Sequence, residues 1–276
     1  MIQLHFKRHY LYFIPLFLLT ACSTNKYAAT NKVYKKQASG FAETIKAAPP
    51  LNQGIDSLPA NPLSWVGSVN FGIRKPNFVV LHHTAQDSSA QTLKTFTITR
   101  TQVSSHYVIG RDGKVFQMVN DYLRANHAGV SRWGNEMDLN SSSIGIEIDN
   151  NGKEPYSEVQ IKSLITVLRA LKKRYGIPTA NFIGHADIAP GRKNDPRNFP
   201  WKRMAAEGFG FWYDDVLVMP PDDFDAVAAL RIIGYNVKNL NAAIEAFKIH
   251  FVQTDISQVL TPADKLILFN VYKKYM

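Results

Sequence analysis

Histidine, aspartate, glutamate and lysine recur at places where a rigid scaffold can put them to chemical use. His82 and His83 close the apolar run Phe78-Val79-Val80-Leu81. His185 opens a stretch rich in turn residues, with Pro190, Gly191 and Asn194, that carries Lys193 and ends in Asp195. Loops that follow a buried strand are common sites for ligands and catalytic groups. The one cysteine, Cys22, lies far from both segments, so a metal here must bind imidazole nitrogen and carboxylate oxygen. Two His, one Asp and an open water position is a catalytic rather than a structural zinc pattern. Side chains alternate along a strand, so only one of His82 and His83 can join such a site. Lys193 falls on the same side as Asp195 if 193–195 is extended. Glu147 sits between Ile146 and Ile148, on the face opposite Ile144, Ile146 and Ile148. It is either a solvated residue or a catalytic base.

These residues need a sheet to hold them. The β-branched run at Phe78 reads as a strand buried on both faces. Gln91 to Thr101 suits a helix. His106 to Ile109 and Lys114 to Val119 read as strands joined at Arg111-Asp112-Gly113, and Ser143 to Asp149 alternates strictly. Ser157 and Gln160 suggest a capping box, followed by an apolar face of Ile161, Leu164, Ile165, Leu168 and Leu171. Gly176 and Pro178 suit the end of that helix. Asn181 to His185 is a further short strand. Strands separated by helices predict an α/β fold, a mixed central sheet flanked by helices. Three helices follow over 214–276: one through Val227, Leu230 and Ile233, one through Ala243, Ile244 and Phe247, and one opened by Thr261-Pro262. They predict a small all-helical C-terminal domain.

The 276 residues include 32 Lys and Arg against 22 Asp and Glu, a formal charge of +10. With 45% hydrophobic and 20% charged residues, wholesale disorder and collagen-like structure are excluded. A lone cysteine excludes a disulfide framework and a cysteine-rich zinc module. Lys7 and Arg8 precede the apolar run Leu11 to Leu19, which is too short to span a bilayer. Residues 1–21 therefore read as a signal peptide. Leu19-Thr20-Ala21-Cys22 resembles the lipobox of bacterial lipoproteins, which implies lipid attachment at Cys22 and a membrane anchor. Loss of Lys7 and Arg8, with no acid, lowers the charge from +10 to +8. Ser23 after the cysteine points to the outer membrane, facing the periplasm. Residues 22–62, ending in Pro49-Pro50, Pro59 and Pro62, read as a tether. The basic excess suits an anionic partner but does not choose one; a secreted lipoprotein rarely meets nucleic acid.

Five segments occur in the order seen in zinc-dependent N-acetylmuramoyl-L-alanine amidases of the peptidoglycan-recognition-protein-like group: Val80 to Ala85, Ser105 to Ile109, His127-Ala128-Gly129, Ser143 to Glu147, and Gly184 to Pro196. The chain resembles that family over about Asn77 to Met204, and the catalytic domain is placed at 63–206. The resemblance implies one Zn²⁺ per chain, held by His82, His185 and Asp195, with Glu147 and Lys193 catalytic and peptidoglycan or muropeptides as substrate. It further implies cleavage between N-acetylmuramic acid and L-alanine, for cell-wall turnover. His127 is assigned to the substrate groove; His106 and Trp133 read as packing, and His250 has no role. The helices over 214–276 resemble a peptidoglycan-binding module, with Lys248 where glutamine is usual. Asn126 and Arg197 also depart from the family pattern. The alternative is a non-catalytic peptidoglycan-binding lipoprotein; the presence of all three ligands favours the enzyme.

Overall fold

Phe78–His83 forms strand β1 because its β-branched and apolar residues can be covered on both faces. Ser89–Phe96 (α2) follows, then β2 (Tyr107–Ile109), β3 (Val115–Gln117), the short helix α3 (Leu139–Ser142), and β4 (Ser143–Ile148). This is a computed structural model describing residues 25–46 and 73–276. Glu158–Tyr175 (α4), Phe182–Gly184 (β5), His185–Ile188 (α5) and Trp201–Ala206 (α6) come next. The sheet order is β3-β2-β4-β1-β5, with β3 antiparallel to β2 and the other pairings parallel. The mixed α/β sheet read from the pattern is thus the one observed.

Alternation divides the core into two. Val79, Leu81, Ile144, Ile146 and Ile148 pack against Ile161, Leu164, Ile165, Leu168 and Leu171 of α4. Val80 and Ile183 face the other way, toward Leu139, Trp133 and the C-terminal helices. Those helices are α7 (Ala226–Ile233), α8 (Leu240–Phe251) and α9 (Pro262–Tyr272). Leu230, Ile233, Ala243, Phe247, Leu268 and Val271 share one buried cluster with Val80 and Ile183. The predicted helices form, but without a core of their own: residues 70–276 make one compact unit. An apolar face as small as three short helices provide is buried more fully against the sheet than alone.

Local structure differs from expectation at four places. The helix expected over 91–101 ends at Phe96, and Thr99–Thr101 forms only a 3₁₀ turn. Thr95, Thr97, Ile98 and Thr99 are β-branched and crowd a continuing helix. Ser157 caps α4, yet the Gln160 side chain donates instead to the Ile109 and Asp149 carbonyls at 3.3 and 2.9 Å. Buried carbonyls at the end of β2 and β4 outcompete the cap. Residues 193–195 lie outside any strand, and the backbone N–H groups of Arg192 and Lys193 both donate to the Ala189 carbonyl. Finally, the expected tether contains a helix, α1 (Ala28–Lys46), none of whose residues is buried. Alanine, lysine and glutamine are strong helix formers, which a search for apolar periodicity overlooks. This helix belongs to a separate unit, 1–69. The expected signal peptide, Cys22 and the expected start of the catalytic domain at 63 lie outside the described residues. Among the described residues no helix is long and apolar enough to cross a membrane.

Candidate metal centre and active site

Register brings the chemistry together. β1 and β4 are parallel neighbours with His82 level with Glu147, and β1 pairs β5 with Leu81 level with Gly184. His82, Glu147 and His185 therefore meet at the carboxyl edge of the sheet, where α/β folds usually bind ligands. Asp195 is distant in sequence from β1 and β4 but is returned to His185 by one bond: the Ala186 N–H donates to the Asp195 carbonyl at 2.7 Å. His83 leaves the opposite face, where its Nδ1 accepts the Arg197 N–H at 3.2 Å. The alternation argument holds, and the fold places His82 on the side of His185 and Asp195.

Three donor atoms converge. His82 Nδ1 lies 2.9 Å from His185 Nδ1 and 3.2 Å from Asp195 Oδ2, and His185 Nδ1 lies 3.1 Å from the same oxygen. The opposite ring nitrogens set the tautomers. His185 Nε2 meets the Ala128 carbonyl at 3.1 Å, so it carries the proton and leaves a lone pair on Nδ1. His82 Nε2 lies 3.2 Å from His127 Nδ1, an arrangement that serves His82 in the same way. Two lone pairs and a carboxylate so close repel one another unless a cation lies among them. Buried His, His and Asp with donor atoms within 4.8 Å of one another make a set that fits zinc.

The electrostatics agree. Burial, then the neighbouring His185, lowers the His82 pKa to about 4, leaving the neutral imidazole a metal requires. Burial pushes the Asp195 carboxyl up, but the adjoining His185 and His82 rings outweigh it and hold the group well below the usual carboxylate range. Glu147 behaves oppositely. Burial and then the Asp195 charge raise it to about 8, against the pull of Lys193. Its Oε2 is buried with no protein partner. An orphaned acceptor beside a metal-type donor set is the usual signature of a reactive group.

A cleft of about 710 Å³ exposes this centre. Its lining includes His82, Glu147, His185, Lys193 and Asp195, and Lys193 is exposed to solvent. His127 also lines it, but its Nδ1 faces His82 and its Nε2 lies 3.3 Å from Ser143 Oγ. The structure thus places His127 behind His82, orienting its ring, as well as at the groove. Gly145 makes this possible: a Cβ there would lie 2.3 Å from the His127 ring. His106 is a packing residue, its Nδ1 accepting the Gly145 N–H at 3.0 Å. Trp133 packs edge-on against Tyr235, 5.1 Å between ring centroids. His250 has a structural place after all, donating to Asp187 at 2.8 Å beneath the His185 turn.

Several contributors carry no sequence signal. Asn140 Oδ1 accepts the His127 and Ala128 N–H groups at 2.9 and 2.8 Å, fixing the segment that supports both His82 and His185. Arg192 donates to the Ala128 carbonyl at 2.6 Å. Neither residue type nor spacing marks these roles, because they depend on approaches between distant segments.

Comparison with known proteins matches this geometry. Residues 72–198 match the family described as N-acetylmuramoyl-L-alanine amidase. The N-acetylmuramoyl-L-alanine amidase AmiD of Escherichia coli is 35% identical over 209 residues, covering 64% of this chain and 75% of AmiD. The solved complex of the E. coli amidase AmiD with the substrate anhydro-N-acetylmuramic acid-L-Ala-D-γ-Glu-L-Lys superposes with a TM-score of 0.65 at 30% identity. It covers 76% of this chain and 93% of that one. AmpDh3 from Pseudomonas aeruginosa gives a TM-score of 0.67 at 30% identity, covering 79% and 99% of the two chains. The matched segment contains His82, His127, Glu147, His185, Lys193 and Asp195. With fold, sequence and site in agreement, the chain belongs to the N-acetylmuramoyl-L-alanine amidase family.

Proposed function

We propose that this chain is a zinc-dependent amidase that hydrolyses the bond between the lactyl group of N-acetylmuramic acid and L-alanine in peptidoglycan or muropeptides. The observation that carries the reading is the meeting of His82 Nδ1, His185 Nδ1 and Asp195 Oδ2 beside the unpartnered Oε2 of Glu147. His82, His185 and Asp195 would hold the metal. When bound, zinc supplies Lewis acidity, polarising a carbonyl and lowering the pKa of water toward neutrality. The chain's own groups do the rest. Glu147 accepts a proton from the attacking water and returns it to the alanine nitrogen as the C–N bond breaks. Lys193, lining the cleft, offsets the negative charge that gathers on the carbonyl oxygen. His127, Asn140 and the Ala128 carbonyl hold the ligand rings in place.

Purified protein is expected to contain about one zinc per chain and to release stem peptide from a soluble muropeptide. A chelator should remove both, and added zinc should restore both. Retained binding to cell wall with no zinc and no turnover would establish the non-catalytic alternative instead.

Cys22 is further proposed as the lipid attachment site, holding the enzyme at the outer membrane facing the periplasm. Lys7, Arg8, the run Leu11 to Leu19, the lipobox-like Leu19 to Cys22, and Ser23 support this. Each acyl CH₂ buried contributes about 0.8 kcal/mol, so several chains anchor firmly. Cells fed labelled fatty acid should label the wild-type chain and not Cys22→Ala; equal labelling would dismiss the assignment. The helices over 214–276 keep a proposed part in wall binding, now as one wall of the catalytic unit.

A further inference from the structure

The cleft has a wall that metal and proton transfer do not use. Asn239, Ala242 and Glu245, from the start of α8, line it together with Gln258 from the loop before α9. The wall sits tightly against the catalytic loop: a Cβ on Gly191 would lie 3.1 Å from that of Ala242. Gly191 is two residues from Lys193, and Ala242 is one turn from Glu245.

Glu245 stands out by charge. The anionic side chains lining the cleft are Glu147, Asp195 and Glu245, and the first two belong to the catalytic centre. Gln258 donates to Glu245 Oε2 at 2.8 Å, which fixes the carboxylate while leaving its second oxygen for another donor. The loop that presents Gln258 is itself fastened from below. Lys248, wholly buried, donates to Asp255, to Ser257 Oγ at 3.0 Å and to the Val259 carbonyl at 2.9 Å, and it pairs with Asp264 at 2.9 Å. Residues on both sides of Gln258 are therefore pinned by one buried ammonium. A carboxylate held this way is built to receive a cation, because little ordering remains when the ligand arrives.

The substrate bound to AmiD indicates which cation. In anhydro-N-acetylmuramic acid-L-Ala-D-γ-Glu-L-Lys, the sugar and L-Ala side chain are neutral and D-γ-Glu carries a carboxylate. The lysine side chain is the one cationic group. We propose that Glu245, positioned by Gln258, is a specificity residue that binds the side-chain ammonium of the third stem residue. This rests on the amidase reading and deepens it, making the C-terminal helices part of the substrate site.

The test compares two muropeptides, muramyl-L-Ala-D-γ-Glu-L-Lys and its Nε-acetyl-lysyl form, on the full chain and on Glu245→Gln. A partly exposed ion pair contributes little and is screened by salt, so the lysyl substrate should be favoured by about 3-fold in kcat/KM, and less at high salt. Glu245→Gln should remove the preference by raising KM for the lysyl substrate alone, and Glu245→Asp should restore part of it. Calorimetry on metal-free protein should give the same ratio of Kd values without turnover. Loss of turnover on both substrates by the unmodified enzyme would defeat the amidase reading, and the calorimetric ratio would still decide on Glu245. A preference that survives Glu245→Gln, an equal loss on both ligands, or no preference in the unmodified chain would each overturn the proposal.

Discussion

Glu147→Gln is expected to keep one zinc per chain while turnover falls by about 10²–10⁴-fold, the usual contribution of a positioned acid–base group. Glu147 is not among the converging donors, so its removal should spare the metal. It is the group beside those donors whose buried oxygen has no partner, so its removal should cost the proton transfers. A second consequence follows from the raised pKa. Burial raises the carboxyl to about 8 in the metal-free fold, from about 4.5 when unfolded. The folded state therefore holds the proton more tightly, and stability falls as pH rises from about 4.5 to about 8. Glutamine has no such charge to bury. Metal-free Glu147→Gln should be more stable than the wild type at pH 8, by about 1–3 kcal/mol, with the gap closing toward pH 4. Turnover near the wild-type rate would remove Glu147 from the mechanism; a gap that does not change with pH would refute the burial argument.

His185→Ala should eliminate zinc binding and reduce activity by about 10³-fold or more, since metal polarisation supplies several kcal/mol of transition-state stabilisation. Stability gives a readout free of turnover. Zinc at 100 times its Kd stabilises the folded protein by about 2.7 kcal/mol, a rise of roughly 5–10 °C in Tm for a unit of this size. His185→Ala should show almost none of that rise. His185 is the stringent choice because its two ring nitrogens divide the work: Nε2 is held by the Ala128 carbonyl and Nδ1 approaches both His82 and Asp195. His250→Gln offers the contrast. It disturbs the Asp187 contact under the same turn but removes no donor from the centre. A zinc-dependent rise that persists in His185→Ala would exclude this histidine as a ligand.

The strands and α4 were legible because their causes are local. Alternation at Ser143 to Ile148 required only knowledge of which side chains point the same way, and Ser157 and Gly176 marked the ends of α4 by their own conformations. Alternation also separated His82 from His83, since consecutive residues of one strand point to opposite faces. The pairing of Lys193 with Asp195 as an extended segment was not legible, since the turn at Ala189 to Lys193 is closed by backbone bonds that residue types do not announce. The same is true of α1, whose helix formers lack an apolar stripe.

Residue chemistry alone supplied the donor types, the α/β pattern and the exclusion of thiolate ligands; with the family resemblance it also named His82, His185 and Asp195. Tertiary structure decided how those residues work. It set His82 level with Glu147 and placed His127 behind His82. It brought the Ala128 carbonyl to His185 and made the C-terminal helices a wall of the cleft instead of a separate domain. The division has a physical cause. Period, capping and residue chemistry act over a few neighbours, whereas tautomers, orphaned oxygens and cleft walls arise only where segments 45 to 114 residues apart are packed into contact.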